Sequence, residues 1–146
     1  MPKLEVIEQK MYSEALAGDY DELLASLHLV DSYAHVPDEI QRVCDSQSSI
    51  FYLGLVSNLV VGMAVLIKPV MSLGHNTAIL EDLAVKRDQQ CLGYGTGLIE
   101  FLIRQSLYMG ADRIELHSAD IREDAHKLYA KAGFKVINTR LFRKEL

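Results

Sequence analysis

Tryptophan is absent from the 146-residue chain, cysteine occurs twice and proline three times. Two cysteines, Cys44 and Cys91, are too few for a disulfide framework and lack the paired spacing of a zinc site, so reduced thiols in a cytoplasm are the expectation and no metal ligand set is assigned. Long hydrophobic runs are missing too. The longest, Leu59 to Ile67, is interrupted by Gly62 and is strand-sized, well short of the roughly 20 residues of a membrane span. The opening Met-Pro-Lys-Leu-Glu-Val has no apolar core followed by a cleavage site, which argues against export and a membrane partner. Basic charge is also short: 15 Lys and Arg against 20 Asp and Glu, net −5, excludes a nucleic-acid footprint spread over the surface. No repeat, low-complexity segment or linker interrupts residues 1–146, so a single domain is expected.

What is present is an α/β pattern. Leu4 and Val6 suggest a first strand, and Leu16, Tyr20, Leu23, Leu24, Leu27 and Val30 recur at three and four, predicting one amphipathic helix from Ser13 to Tyr33, weakened at Gly18. Pro37 with Asp38 and Glu39 begins a second helix toward Asp45. The runs Ile50–Val56 and Leu59–Ile67, separated by Ser57-Asn58, read as an antiparallel hairpin. A loop over Pro69 to Asn76 leads into a strand from Thr77 to Val85. A helix follows Gly93-Tyr94-Gly95-Thr96-Gly97, a strand covers Arg113 to His117, and Ala125, Leu128, Tyr129 and Ala132 mark a last helix closed by Gly133. Phe134–Ile137 and Arg140–Phe142 are expected as two final strands. The whole predicts a mixed central sheet of about six or seven strands flanked by about four helices.

Chemistry concentrates after Thr77. Residues 1–75 carry four basic and ten acidic side chains (−6) and residues 76–146 eleven and ten (+1), so an anionic ligand suits the second half. The glycines of Gln90-Cys91-Leu92-Gly93-Tyr94-Gly95-Thr96 stand at a strand-to-helix turn, where successive N–H groups and the helix N-terminus make an anion seat; they equally suit a tightly packed turn. The pattern is neither the dinucleotide fingerprint nor a Walker loop. Glu81 and Asp82 stand in the apolar strand just before it. On a regular strand only one of two adjacent side chains faces a given side, unless a bulge redirects the other.

These residues resemble the GCN5-related N-acetyltransferase (GNAT) superfamily. Gln90, Gly93 and Gly95 occupy the positions of its Gln/Arg-x-x-Gly-x-Gly/Ala motif, and Ala125, Tyr129, Gly133 and Phe134 match its later Ala-x-x-x-Tyr-x-x-x-Gly-Phe segment. Arg122, where many members carry Asn, with Ala125 and His126, looks most like the aminoalkylphosphonate N-acetyltransferases; Glu81 to Val85 is more weakly similar to glucosamine-phosphate acetyltransferases. The resemblance implies the GNAT fold and transfer of acetyl from acetyl-CoA to a primary amine of a small molecule, directly and through a tetrahedral intermediate. It implies that the backbones of Leu83, Ala84 and Val85 line the pantetheine, with Leu83 and Val85 pairing its amides. Cys91, Leu92, Gly93, Tyr94, Gly95 and Thr96, with Gln90, would hold the pyrophosphate, and Arg122 and Lys131, with Lys127, the 3′-phosphate. Glu81 or Asp82 would accept the amine proton and Tyr129 would protonate the departing sulfur. Lys86 and Arg87 are read chiefly as solvated charges, Cys91 as a backbone ligand rather than a nucleophile, and His75 or His117 as possible walls of an acceptor cleft. A homodimer is the implied assembly. Metal dependence is open, as are two other readings: a peptide or protein N-acetyltransferase and a non-catalytic acyl-CoA-binding regulator.

Overall fold

The computed structural model describes residues 2–146. Five strands form one sheet in the order β1 (Leu4–Glu8), β2 (Ser49–Val56), β3 (Leu59–Ser72), β4 (His75–Val85), β5 (Arg113–Leu116). The first four are antiparallel, and β5 runs parallel to β4. The helices are α1 (Ala17–His28), α2 (Pro37–Asp45), α3 (Tyr94–Tyr108) and α4 (Glu123–Lys131).

Strand alternation divides the core between the two faces of the sheet. Tyr52, Ala64, Leu66, Ala78 and Leu80 pack with Leu98, Ile99 and Leu102 of α3 and Tyr129 of α4. Phe51, Leu53, Met63 and Val65 point the other way, onto Tyr20 and Leu23 of α1, with Ile40 and Val43 of α2 at the margin. Gly62 is what lets α3 lie so close: a Cβ there would stand 2.7 Å from the Leu98 Cδ1 and 3.1 Å from the Ala84 carbonyl oxygen.

Three elements differ from the pattern expected. The long first helix is a 3₁₀ turn (Glu14–Leu16) running into α1, which continues through Gly18 and ends at Leu29 with φ +56°, before Tyr33. Arg87 from beyond β4 terminates it, donating to the carbonyls of Ala25 (3.3 Å) and Val30. Pro69 does not open a loop; β3 continues to Ser72, and the ladder shifts register between Ile67 and Val70, an irregularity that accommodates a residue with no N–H to donate. The strands expected at Phe134–Ile137 and Arg140–Phe142 do not form, so the described sheet has five strands rather than six or seven. Neither segment pairs with β5, an edge strand of four residues, and Val136, Ile137 and Phe142 are 101%, 68% and 87% exposed. A tail that buries so little gains no apolar free energy to offset the entropy of ordering it as strand.

Candidate active site

The acids and backbone groups singled out in the sequence lie along the C-terminal half of β4 and the loop after it. The ladder with β5 ends at Leu80–Leu116, whereas pairing with β3 continues to Val85. Residues 81–85 are therefore held on one edge and open on the other. The Lys86 N–H donates to the Val61 carbonyl at 2.9 Å, so by alternation Leu83 and Val85 direct their main-chain groups toward the open edge. Leu83 and Ala84 have buried side chains, leaving the backbone as what they offer. The Val85 carbonyl is already engaged, accepting from the Ser26 Oγ (2.9 Å) and the Gln90 Nε2 (3.1 Å). The Gln90 side chain thus ties the loop to β4 and α1 instead of reaching outward.

The loop beyond it carries the anion seat. Cys91 (φ +62°) and Gly93 (φ +88°) both adopt the left-handed region, which turns the chain abruptly into α3. Among the described residues the N–H groups of Cys91, Leu92, Gly93, Tyr94, Gly95 and Thr96 donate to no protein acceptor, the first bond of α3 being Gly97 N–H to the Gly93 carbonyl at 3.0 Å. Six consecutive free donors at the positive end of a 15-residue helix suit a diphosphate. Tyr94 is buried against Val56 and Val61 and anchors the turn, while Cys91 and Leu92 are exposed. At Gly95 a Cβ would lie 3.0 Å from the Leu128 Cδ2 of α4, so the glycine also sets how closely α4 approaches.

A bulge brings both acids to one face. Met63 pairs Ala84 and Val65 pairs Glu81, leaving one extra residue in β4, and Asp82 takes a φ of +52°. Glu81 shares the face of its partner Val65. Asp82 is turned to the same side, where with Met63 and Val65 it lines a cavity of about 260 Å³ between the sheet, α1 and α2. The Asp82 carboxylate has no hydrogen bond or ion pair among the described residues. The residue reaches solvent, yet protein crowds its carboxyl at the cavity mouth, and this desolvation raises its pKa, opposed by nearby His28. Desolvation and the neighbouring Asp82 charge raise Glu81 as well, while His117 draws it down. His75 is elsewhere, 3.3 Å from Asp112 at the far end of β4.

Tyr129 stands on the opposite face, in the cluster that includes Leu80 and Leu83. It is 9% exposed, with its ring 6.0 Å from that of Phe134. Its hydroxyl has no protein partner among the described residues and is not sealed from solvent. Burial raises its pKa, and the charge of Arg122 opposes that rise. Arg122 thus acts on the phenol. Lys131 lies in the α3–α4 groove with Thr96 and Glu100, and Lys127 is exposed beside Asp124 at 3.6 Å. Lys86 pairs with Asp19, and with Glu22 at 3.5 Å; like Arg87, it fastens β4 to α1.

The chain matches the acetyltransferase (GNAT) family over residues 15–134. It belongs to that family. It is accordingly an acyltransferase whose acetyl donor is acetyl-CoA, and the free amides and open strand edge fit that donor's diphosphate and amide-bearing arm. Solved structures share the fold at low identity. A transcriptional regulator from Bacillus halodurans C-125 is 18% identical with a TM-score of 0.81, the match covering 98% of this chain and 100% of that one. The ribosomal-protein-alanine N-acetyltransferase from Brucella melitensis biovar Abortus 2308 is 15% identical, TM-score 0.77, over 97% and 99%. The aminoglycoside N-acetyltransferase AAC(6')-Iy in complex with CoA is 12% identical, TM-score 0.77, over 99% and 96%. The comparison with curated proteins returns no match. No helix among the described residues is long and apolar enough to cross a membrane.

The sequence reading missed the cavity's outer wall: His28, Tyr33 and Glu39 line it. The available signal was modest. Leu24, Leu27 and His28 on the first helix and Glu39, Ile40 and Val43 on the second follow helical spacing and end up facing one another across the same gap.

Proposed function

We propose that this chain acetylates the primary amine of a small molecule held in the cavity between α1, α2 and the bulged end of β4. The observation that carries this reading is the coincidence, at one break in the sheet, of an open strand edge, a loop of unpaired amides and an unpaired carboxylate facing a cavity. When bound, acetyl-CoA supplies a thioester activated toward amines.

The chain's own groups divide the remaining work. The amides of Cys91 to Thr96, with Gln90 fixing the loop behind them, hold the diphosphate. The main chain at Leu83 and Val85, with Ala84 between them held to β3, orients the arm. Arg122 and Lys131 add positive charge on the α4 side. An alkylammonium must lose a proton before its nitrogen can attack, and Asp82, assisted by Glu81, accepts it. The nitrogen lone pair then adds to the carbonyl carbon to form the N–C bond; the C–S bond breaks afterwards, the nitrogen gives up its second proton, and Tyr129 hydrogen-bonds or protonates the departing sulfur. The balance is one ammonium and one thioester giving an amide, a thiol and one proton released. Raised carboxyl pKa values serve this use, since a stronger base accepts the proton more readily.

A homodimer is the assembly we propose, supported by the exposed apolar side chains of the tail, Val136, Ile137, Leu141 and Phe142. A cytoplasmic setting is supported by the two free thiols, Cys44 and Cys91. The direct test measures acetyl-CoA binding by calorimetry and thiol release over a chemically broad amine panel. Binding with turnover on small amines is expected. Binding without turnover on any amine favours an acyl-CoA-binding regulator, and turnover only on peptides moves the acceptor to a protein N-terminus or lysine.

A further inference from the structure

The cavity beside Asp82 has a chemical character that narrows the acceptor, and the inference rests on the acetyltransfer reading above. Its walls are mostly apolar. Leu24 and Leu27 come from α1, Ile40 and Val43 from α2, and Met63 and Val65 from β3. Phe51 closes the floor, and at the rim the rings of His28 and Tyr33 lie stacked, centroids 4.8 Å apart and 12° from parallel. Two carboxylates line it, Asp82 and the exposed Glu39, and no lysine, arginine, serine, threonine, asparagine or glutamine does. The hydroxyl of Tyr20 already takes the Ser13 N–H, at 3.3 Å.

This lining discriminates among amines. A phosphonate or phosphate would be desolvated beside two carboxylates that repel it, with the His28 ring as the one lining group able to carry positive charge. An amino sugar or aminoglycoside brings many hydroxyls, and each one buried without a partner costs about 1–3 kcal/mol. A polyamine would place further ammonium groups against leucine and valine with only rim-exposed Glu39 to answer them. An amine on a flat or aliphatic apolar body meets none of these penalties. Its body gains about 25 cal/mol per Å² of apolar surface buried, and its ammonium finds Asp82 together with aromatic rings. The volume, about 260 Å³, lies just below the usual range of small-molecule pockets, about 300–1,000 Å³, which favours a compact acceptor.

We infer that the acceptor is a small hydrophobic primary monoamine, an arylalkylamine or short alkylamine without an anionic group, with its apolar body between α1 and α2 and its nitrogen at Asp82. The acetyl transfer itself consumes the ammonium and the thioester and gives the amide, the thiol and one proton.

The test is thiol release by the full chain with acetyl-CoA and matched amines: phenethylamine and hexylamine against 2-aminoethylphosphonate, glucosamine 6-phosphate, kanamycin and spermidine. The first two should exceed every polar amine in kcat/KM by about tenfold or more, the scale set by one or two apolar contacts. Val36→Trp, at the exposed rim where Val36 is 45% accessible, should raise KM for phenethylamine while acetyl-CoA affinity stays unchanged. A polar amine equal to or better than the hydrophobic pair overturns this inference and leaves acetyl transfer standing. Acetyl-CoA binding with no turnover on any amine overturns both. Turnover of phenethylamine indifferent to Val36→Trp places the acceptor outside this cavity and also refutes the proposal.

Discussion

Replacing Asp82 by asparagine isolates one property of the bulge. Asparagine tolerates a positive φ about as well as aspartate, so the +52° backbone and the outline of the cavity persist; only the capacity to accept a proton is lost. A positioned general base contributes about 10²–10⁴ in rate, or about 2.7–5.4 kcal/mol at 1.36 kcal/mol per decade, so kcat for thiol release should fall by about that factor at neutral pH. The acidic limb of the kcat/KM profile, set in the wild type above the ordinary aspartate range by desolvation, should flatten or move to the remaining Glu81. Stability should change the other way. A carboxyl whose pKa is raised on folding favours the native state below its unfolded pKa, and that contribution is lost as pH rises through the folded value. Asparagine does not titrate and also relieves Glu81 of a neighbouring charge, so the melting temperature of the variant relative to wild type should improve as pH rises from the ordinary carboxylate range through the raised folded value. Attraction to His28 reduces this gain. A rate within about twofold of wild type with an unaltered acidic limb refutes the base. A variant that loses ground as pH rises refutes the unpaired carboxylate.

Four further substitutions, the last of them a control, test the rest of the site. Tyr129→Phe removes a hydroxyl with no protein partner, so melting and acetyl-CoA affinity should hold while kcat drops by about tenfold or more; unchanged kcat in stopped thiol-release assays removes the phenol from the mechanism. Lys86→Met should cost about 1–3 kcal/mol in urea unfolding by stranding Asp19 in its partly buried pair and leave KM for acetyl-CoA alone, since that lysine faces α1; a raised KM with stability intact reverses the assignment. Gly93→Ala forces a side chain to φ +88°, at about 1–2 kcal/mol of strain, and should weaken acetyl-CoA binding in calorimetry. Gly74→Ala, at φ +107° in a distant turn, carries similar strain and should leave the affinity untouched; equal effects from both would mean that the loop amides have no special part.

Legibility in the sequence followed the source of each constraint. The loop at Gly93 and Gly95 was readable because a backbone that must offer six N–H groups needs residues able to turn sharply, and glycine announces that need. The helix around Tyr129 was readable because its apolar spacing and closing glycine act locally. The final strands were not, because the pattern of Phe134 to Phe142 states only what a strand would bury; whether a partner edge exists is decided by β5, which pairs through Leu116 and no further. Pro69 misled for a similar reason: it forbids one ladder bond, and a register shift removes the requirement for that bond. Lys86 and Arg87 looked like solvated charges, yet their partners on α1 lie more than sixty residues back, a contact no local window contains.

The bulge joins the two halves of the candidate site. Strict alternation would have sent Glu81 and Asp82 to opposite faces, one of them into the cluster around Tyr129, where a carboxylate would stand among leucines without a partner. One added residue keeps Leu83 in that cluster and Ala84 in the other, so both cores continue past the break while two acids gather on the acceptor side. The phenol and the carboxylates are thereby separated by the thickness of β4, at the stretch β5 has abandoned. In the proposed reaction a thioester entering along that open edge would meet a base from one face of the sheet and an acid from the other, and neither side chain would need to cross a core to reach it. That division also explains why the donor site is written in a recognisable motif while the acceptor site is not. A donor held, as proposed, largely by main chain restricts residue type at a few turns; an acceptor held by the side chains of α1 and α2 leaves any apolar residue of suitable size free to satisfy the fold, so that only the assembled wall would carry specificity.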